Sequence, residues 1–430
     1  MEINLRDSPF YFRLLFRYLS LILVAIQILV FFPVLEITDL AIFFLLKSLH
    51  DTVKRLFSGL SGSKYYQLNY IVKKRQKENL IYHYLIHFII SLLSALFVAF
   101  LAFLDSITFN FFDYFLSFSI QNYVFLIIWL ATSFAAQPAN YITQIFKKNM
   151  LTGFFTVFSS TFFITPIILI FYLKSNLNLS TLIFSYGFGN LINFLFVTFT
   201  IFNVVNIKYI PIRSISTFTN MINLNESLLN FTDALRWQSI LWILSANGED
   251  YLAIIFGFFN YIFPLLFYPS QQIYASLRTD FFTLVDSRSS NGLKKFINKI
   301  SKMNVIYFSL ITICCLLAFL FNDFILSIIK SFNLNYFGYF LDLNLLLISV
   351  FFAYLCSNLF FKSLEGVIID LRRFNEANLI NVLTVIILFI SVFILGNFSS
   401  IFTWIISICI SQFFRSALLY LYLSKVLKIV

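Results

Sequence analysis

The chain has 430 residues, 60% of them hydrophobic and only 11% charged, where a soluble domain carries about 25% charged residues. Its mean hydropathy is +0.88. These values exclude a soluble enzyme and a disordered regulator, and they make the formal charge of +11 a question of membrane sidedness before one of nucleic-acid binding. Runs of about 20 apolar residues recur along the whole length, each enough to cross a hydrocarbon core about 30 Å thick. Backbone groups in lipid must be satisfied internally, which leaves helices or a closed barrel. The runs are too long and too continuously apolar for barrel strands, so the chain reads as an all-α integral membrane protein.

Hydropathy predicts twelve helices, at about 14–33, 35–56, 80–103, 119–145, 150–173, 180–204, 232–248, 251–281, 303–322, 341–363, 376–396 and 399–424. The opening MEINLRDSPFYFRLLFRYLS carries Arg6, Arg13 and Arg17 and has no small-residue cleavage site. Its first apolar run therefore reads as a retained signal anchor. Helix 2 begins apolar and then sets Lys47, Asp51 and Arg55 four residues apart, a spacing that stacks them on one face. Helix 3 holds His83 and His87 at the same spacing. That pair could take a metal or relay a proton, but no H-E-x-x-H pattern or third ligand accompanies it, and no metal site is assigned. Amides follow: Gln137, Asn140 and Gln144 in helix 4, and Asn190 and Asn193 in helix 6. Arg236 opens helix 7 just after Asp233, and helix 8 carries Gln271, Gln272, Arg278 and Asp280. Lys362 and Glu365 end helix 10, and Arg415 lies beside Gln412 inside helix 12.

Several features carry no chemistry. SGLSGS (58–63) and GFGN (187–190) are too short for phosphate loops and read as caps and turns at helix ends. Without a P-loop there is no ATP-driven motor on this chain. The cysteines Cys314, Cys315, Cys356 and Cys409 sit in apolar runs without C-x-x-C spacing, so neither a disulfide framework nor a zinc site is expected. The 60 phenylalanines fit AT-rich codon usage and a lipid-facing surface that accepts any large apolar side chain.

The basic residues sort sharply. Of the 30 Lys and Arg, 28 fall in the N-terminal segment and first turn, in the even-to-odd connections with the helix ends beside them, or in the C-terminal region, and only Lys174 and Lys330 fall on the other side. The bias places both termini in the cytoplasm and makes the helix count even. The longest polar connection, 206–231, separates an N-terminal six-helix half (1–205) from a C-terminal one (232–430). Each half has its most basic connection after its second helix: VKKRQKEN in the first, SRSSNGLKKFINKISK in the second. An offset of about 220 residues with an even number of helices per half predicts parallel repeats about an axis along the membrane normal, as in one class of secondary transporters.

Charges inside membrane helices cost several kcal/mol unless they face a bundle interior or a wet cavity. Long basic side chains near a helix end escape that cost by reaching the interface. Lys47 would lie about 10 Å below it at 1.5 Å rise per residue, within reach of such an escape. Asp51 cannot reach so far. It sits four residues from a base on either side, which predicts a paired, ionised carboxylate. A cavity lined mainly with cations would suit an anionic amphiphile, because Arg and Lys bind phosphate well while a lipid tail stays in the bilayer.

Twelve helices in two halves with basic second and eighth connections resemble the polysaccharide exporters of the multidrug/oligosaccharidyl-lipid/polysaccharide superfamily. Among these the chain looks most like the O-antigen and capsule repeat-unit flippases. The local likeness is carried by LVFFPVLEITDLAIFFLLKSLHDTVKRLFSGLS (29–61) and LRWQSILWILSANGEDYLAIIFGFFNYIFPLLFYPSQQIYASL (235–277). Family members have glycines where helix 1 turns into helix 2, whereas this chain has Leu35-Glu36 and Leu40-Ala41. The resemblance implies a bacterial inner-membrane protein that moves undecaprenyl-diphosphate-linked oligosaccharide from the inner to the outer leaflet by alternating access. Arg17, Lys47, Asp51, Arg55, Arg236 and Arg415 would bind the diphosphate and glycan. Asp39 or Asp51 would carry a coupling ion, H+ or Na+, with no other cofactor. The implied partners are the lipid-linked substrate, membrane lipid, a glycan polymerase and a chain-length regulator, and not nucleic acid. An ion-coupled exporter of small organic cations predicts an acidic cavity instead, and a membrane glycan polymerase predicts a long outer loop with arginines.

Overall fold

A computed structural model describes residues 9–73, 78–104, 118–136, 148–205, 224–258, 290–321, 373–396 and 401–429, with a few isolated residues between them. Every described element is a helix: α1 (Pro9–Ile26), α2 (Ile37–Lys73), α3 (Glu78–Leu104), α4 (Ile120–Ala135), α5 (Asn149–Gly153), α6 (Ser159–Leu173), α7 (Leu179–Val205), α8 (Leu224–Ala246), α9 (Ser290–Leu320), α10 (Phe374–Leu395) and α11 (Ile401–Ile429). α1 runs on through a π-turn at Gln27–Phe31 and a 3-10 turn at Phe32–Val34 that holds Pro33. A second π-turn, Phe154–Phe158, joins α5 to α6. The predicted helix 10 lies outside the described residues.

Among the described residues four segments are long and apolar enough to cross a membrane: His87–Leu104, Leu179–Val204, Asn375–Leu395 and Thr403–Leu423. They coincide with predicted helices 3, 6, 11 and 12. In α3 the large residues Leu93, Phe97, Phe100 and Phe103 are exposed, while Ser91, Ser94, Ala95 and Ala102 are buried. Small and polar residues inside with large apolar ones outside reverse the pattern of a soluble domain, as expected where lipid is the solvent. The chain is a multi-pass membrane protein.

Local chemistry sets several boundaries. Ser119 caps α4 by accepting a hydrogen bond from the Asn122 amide at 3.3 Å, satisfying one orphan donor of the first turn. α4 closes at Ala135, ahead of Pro138, whose ring disfavours helical backbone before it. Gly396 ends α10 in the left-handed region, with φ +69°, the usual conformation of a glycine that follows a helix.

Three expectations are corrected. α2 does not stop near residue 56: it continues through SGLSGS to Lys73. Each interior glycine costs about 1 kcal/mol relative to alanine, too little to break a helix anchored by a packed apolar half. GFGN is not a turn either. It lies in the middle of α7, where a Cβ on Gly187 would stand 2.8 Å from the Phe125 carbonyl of α4. A Cβ on Gly189 would stand 2.7 Å from Ile164 of α6. Both glycines let helices approach closely, the common use of small residues in membrane bundles. Finally, α8 begins at Leu224 and α9 at Ser290. Hydropathy registers where a helix meets lipid, not where its backbone hydrogen bonds begin, so polar helical extensions look like loops.

The chain forms two compact units, residues 1–234 with 241–254 and residues 235–240 with 255–430. The first unit's core is aromatic. Phe43, Trp129 and Tyr186 from α2, α4 and α7 meet with ring centroids 4.8 to 6.2 Å apart.

A charged network on the second helix

α2 presents its charges where its apolar half ends. The Lys47 ammonium donates to Asp51 Oδ2 at 2.8 Å, and His50 Nδ1 lies 2.9 Å from Asp51 Oδ1. Both carboxylate oxygens are therefore engaged within one helical turn, which compensates an acid placed among apolar neighbours. The other ring nitrogen of His50, Nε2, hydrogen-bonds the Ser133 hydroxyl of α4. The imidazole stacks on Trp129, with centroids 5.1 Å apart and planes 22° apart, and leans on Phe134 at 5.3 Å. Stacking and two hydrogen bonds fix the ring. Lys47 and Asp51 are partly open, with 22% and 31% of their side-chain surface exposed, so His50 is the sealed member of the set.

The predicted symmetric ladder is only half formed. Asp51 is held from the Lys47 side, whereas Arg55 Nη1 reaches Asp233 Oδ2 of α8 at 2.7 Å. Ser48, next to Lys47 in sequence, accepts from the Trp242 indole at 2.7 Å. Two side-chain contacts, about two turns apart, thus tie this part of α2 to α8. Arg236 is not at a helix opening. It lies one turn beyond Asp233 in the middle of α8, and its side chain is outside the described residues.

Asp39 stands in the first turn of α2, where its Oδ2 accepts from the Leu179 amide at the start of α7, 3.1 Å away. A carboxylate at a helix N-terminus satisfies an orphan donor and the helix dipole together. Twelve residues separate Asp39 from Asp51, about 18 Å along the axis, so the two cannot share one ion. Arg17 lies in α1, on a half-buried stretch beside the buried Phe16 and Ser20. Asp39 is thus not brought to the Asp51 network.

Arg415 belongs to the second unit. It is 3% exposed, and its Nε donates to Asn381 Oδ1 of α10 at 3.0 Å, with Gln412 and Ser411 buried in the adjoining turn. This places a guanidinium in the packed interior between α10 and α11.

A third polar cluster was not anticipated. Gln27, at the π-turn of α1, donates from Nε2 to Thr165 Oγ1 at 3.0 Å and accepts from the Tyr186 hydroxyl at 3.2 Å. All three are buried. π-turns within helices often mark functional positions. Tyr186 also packs on Trp129 at 4.8 Å, so this cluster and His50 share one indole as a neighbour. A lone glutamine in an apolar run is a weak sequence signal; its pairing with a threonine 138 residues later has no local trace. His87 is packed, with Nε2 donating to the Phe134 carbonyl at 2.9 Å. No group of three or more metal-ligating side chains occurs among the described residues. Gln137, Asn140, Gln144, Gln271, Gln272, Arg278, Asp280, Lys362 and Glu365 lie outside them.

No family model matches the sequence, and no curated protein matches it in sequence. Solved structures do match. A multidrug resistance MATE family transporter of the MOP superfamily, in an inward-facing conformation, superposes with a TM-score of 0.63 at 13% identity, over 91% of this chain and 91% of that one. A MATE protein in complex with MaD5 gives 0.60 at 11% identity, over 99% and 95%. The MATE multidrug transporter DinF-BH in complex with R6G gives 0.59 at 14% identity, over 97% and 94%. With nearly the whole of each chain aligned, the protein has the fold of the MATE transporters.

Proposed function

We propose that the protein is a flippase for undecaprenyl-diphosphate-linked oligosaccharide, an O-antigen or capsule repeat unit, working by alternating access in the bacterial inner membrane. Residues 1–205 and 232–430 are its two halves in this reading. The observation that carries it is a set of cations held inside helices beside polar partners. Lys47 and Arg55 sit with Asp51 and Asp233 on the first unit, and Arg415 is buried among amides on the second. A partly open lysine and arginine suit a diphosphate, and the buried amide and serine groups beside Arg415 suit sugar hydroxyls. A coupling H+ or Na+ would have to displace a partner at either acid: Asp51 is engaged on both oxygens, by Lys47 and His50, and Asp39 on one, by the amide of Leu179.

The multidrug transporters of the same fold favour a second reading, ion-coupled export of organic cations, and the buried aromatic core of the first unit would accept flat apolar rings. Proteoliposomes separate the two. With the purified protein, fluorescent undecaprenyl-diphosphate oligosaccharide should cross to the opposite leaflet, and Lys47→Ala should slow it at least tenfold. Movement of an organic cation dye but not of the lipid would establish the second reading. Loss of flipping on collapse of the ion gradients would support coupling, and an unchanged rate would remove it.

A further inference from the structure

α9 is 31 residues long, about 46 Å at 1.5 Å per residue against a hydrocarbon core of about 30 Å. Its two ends differ in kind. The first turns, SNGLKKFINKISK, bury Leu293, Phe296 and Ile300. The opposite side exposes Lys295, Lys299 and Lys302. The same face then continues as exposed Ile306, Ile313, Leu317 and Leu320, of which Ile306 is 63% and Leu320 74% exposed. At 100° per residue these positions stay within about 40° of one direction. One stripe therefore changes from cationic to apolar at Lys302.

The helix contains no Asp or Glu, and none of the three lysines enters an ion pair among the described residues. Lysines spaced for water alone need no apolar continuation. A stripe that is basic at the interface and apolar below matches, group for group, a lipid with an anionic head and acyl chains. Lysine near a membrane surface attracts anionic lipid.

We infer that the Lys295–Lys299–Lys302 stripe of α9 is a binding site for anionic phospholipid, with the head group on the lysines and an acyl chain along Ile306 to Leu320. The sorting of basic residues places it in the cytoplasmic leaflet. The site is independent of what the protein transports.

The test puts a tryptophan at Ile306 in the full chain, reconstituted in phosphatidylcholine nanodiscs containing phosphatidylglycerol. Quenching is compared when either the phosphatidylglycerol or an equal amount of phosphatidylcholine carries brominated chains, after subtraction of the parent protein with its four native tryptophans. Phe199→Trp serves as the control. Phe199 is an exposed α7 position, and the nearest base beyond it in that connection is Lys208. The expected result is a preference for brominated phosphatidylglycerol at residue 306 of about fivefold, the effect of one lysine contact, and none at residue 199. Lys→Gln at all three positions should abolish the preference, and Lys→Arg should keep it. Equal quenching by the two lipids, or a preference that survives Lys→Gln, would overturn the inference. So would its removal by inorganic pyrophosphate at constant ionic strength, which would make the ligand a soluble phosphate. If the Gln variant does not fold, the contrast between residues 306 and 199 still decides.

Discussion

Arg55 and Asp233 are 178 residues apart in the chain and 2.7 Å apart in space, so the lower ladder residue of α2 is bound to α8 rather than to its own helix neighbour. Arg55 is 38% exposed, and exposed pairs are worth about 0.2–1 kcal/mol. A double-mutant cycle on the melting temperature of the solubilised protein should give a coupling of about that size. Arg55→Asp with Asp233→Arg should recover most of what either single change loses. Additive losses would mean that the two residues act separately.

His50 bridges Asp51 and Ser133 while stacked on Trp129. His50→Phe keeps the stack and removes both hydrogen bonds. Transport should fall at least tenfold with the protein still present in the membrane. Ser133→Ala removes one partner only and should cost about 1 kcal/mol of stability with a smaller effect on transport. Wild-type transport by the Phe variant would reduce His50 to packing.

Gly187 meets the Phe125 carbonyl and Gly189 meets Ile164, each at under 3 Å from an added Cβ. Gly187→Ala should force α4 and α7 apart and destabilise by about 1–3 kcal/mol, the range of overpacked cores. Gly396→Ala meets nothing in space but must hold φ +69°, and it should cost about 1 kcal/mol. Thermal unfolding in detergent measures both.

Arg415 donates through Nε to Asn381. Arg415→Lys keeps the charge and loses that planar donor, so it should not restore transport lost in Arg415→Ala. Equal activity of Lys and Arg at this position would show that charge alone matters there.

How much of this was legible in the sequence depended on range. The periodic apolar runs of α3, α7, α10 and α11 mark their own membrane crossings because lipid contact is a local property. Lys47 and Asp51 were legible as a pair because four residues is one helical turn. Arg55 was legible as a charge but not in its partner, since Asp233 is brought to it only by packing. The Gln27–Thr165–Tyr186 cluster was invisible for the same reason. His50 was hidden differently: it stands beside the ladder, and one residue's offset turns a side chain by 100° toward α4. Polar helix extensions, as at α2 and α9, escaped because hydropathy records the solvent and not the backbone.

The most direct test of flippase function is the leaflet in which lipid-linked oligosaccharide collects in cells carrying Lys47→Ala, Asp51→Ala or Arg55→Ala at normal membrane levels. Complete single repeat units confined to the inner leaflet are the predicted result. Single units that reach the outer leaflet but do not grow into chains, or normal surface polysaccharide in all three strains, would contradict it.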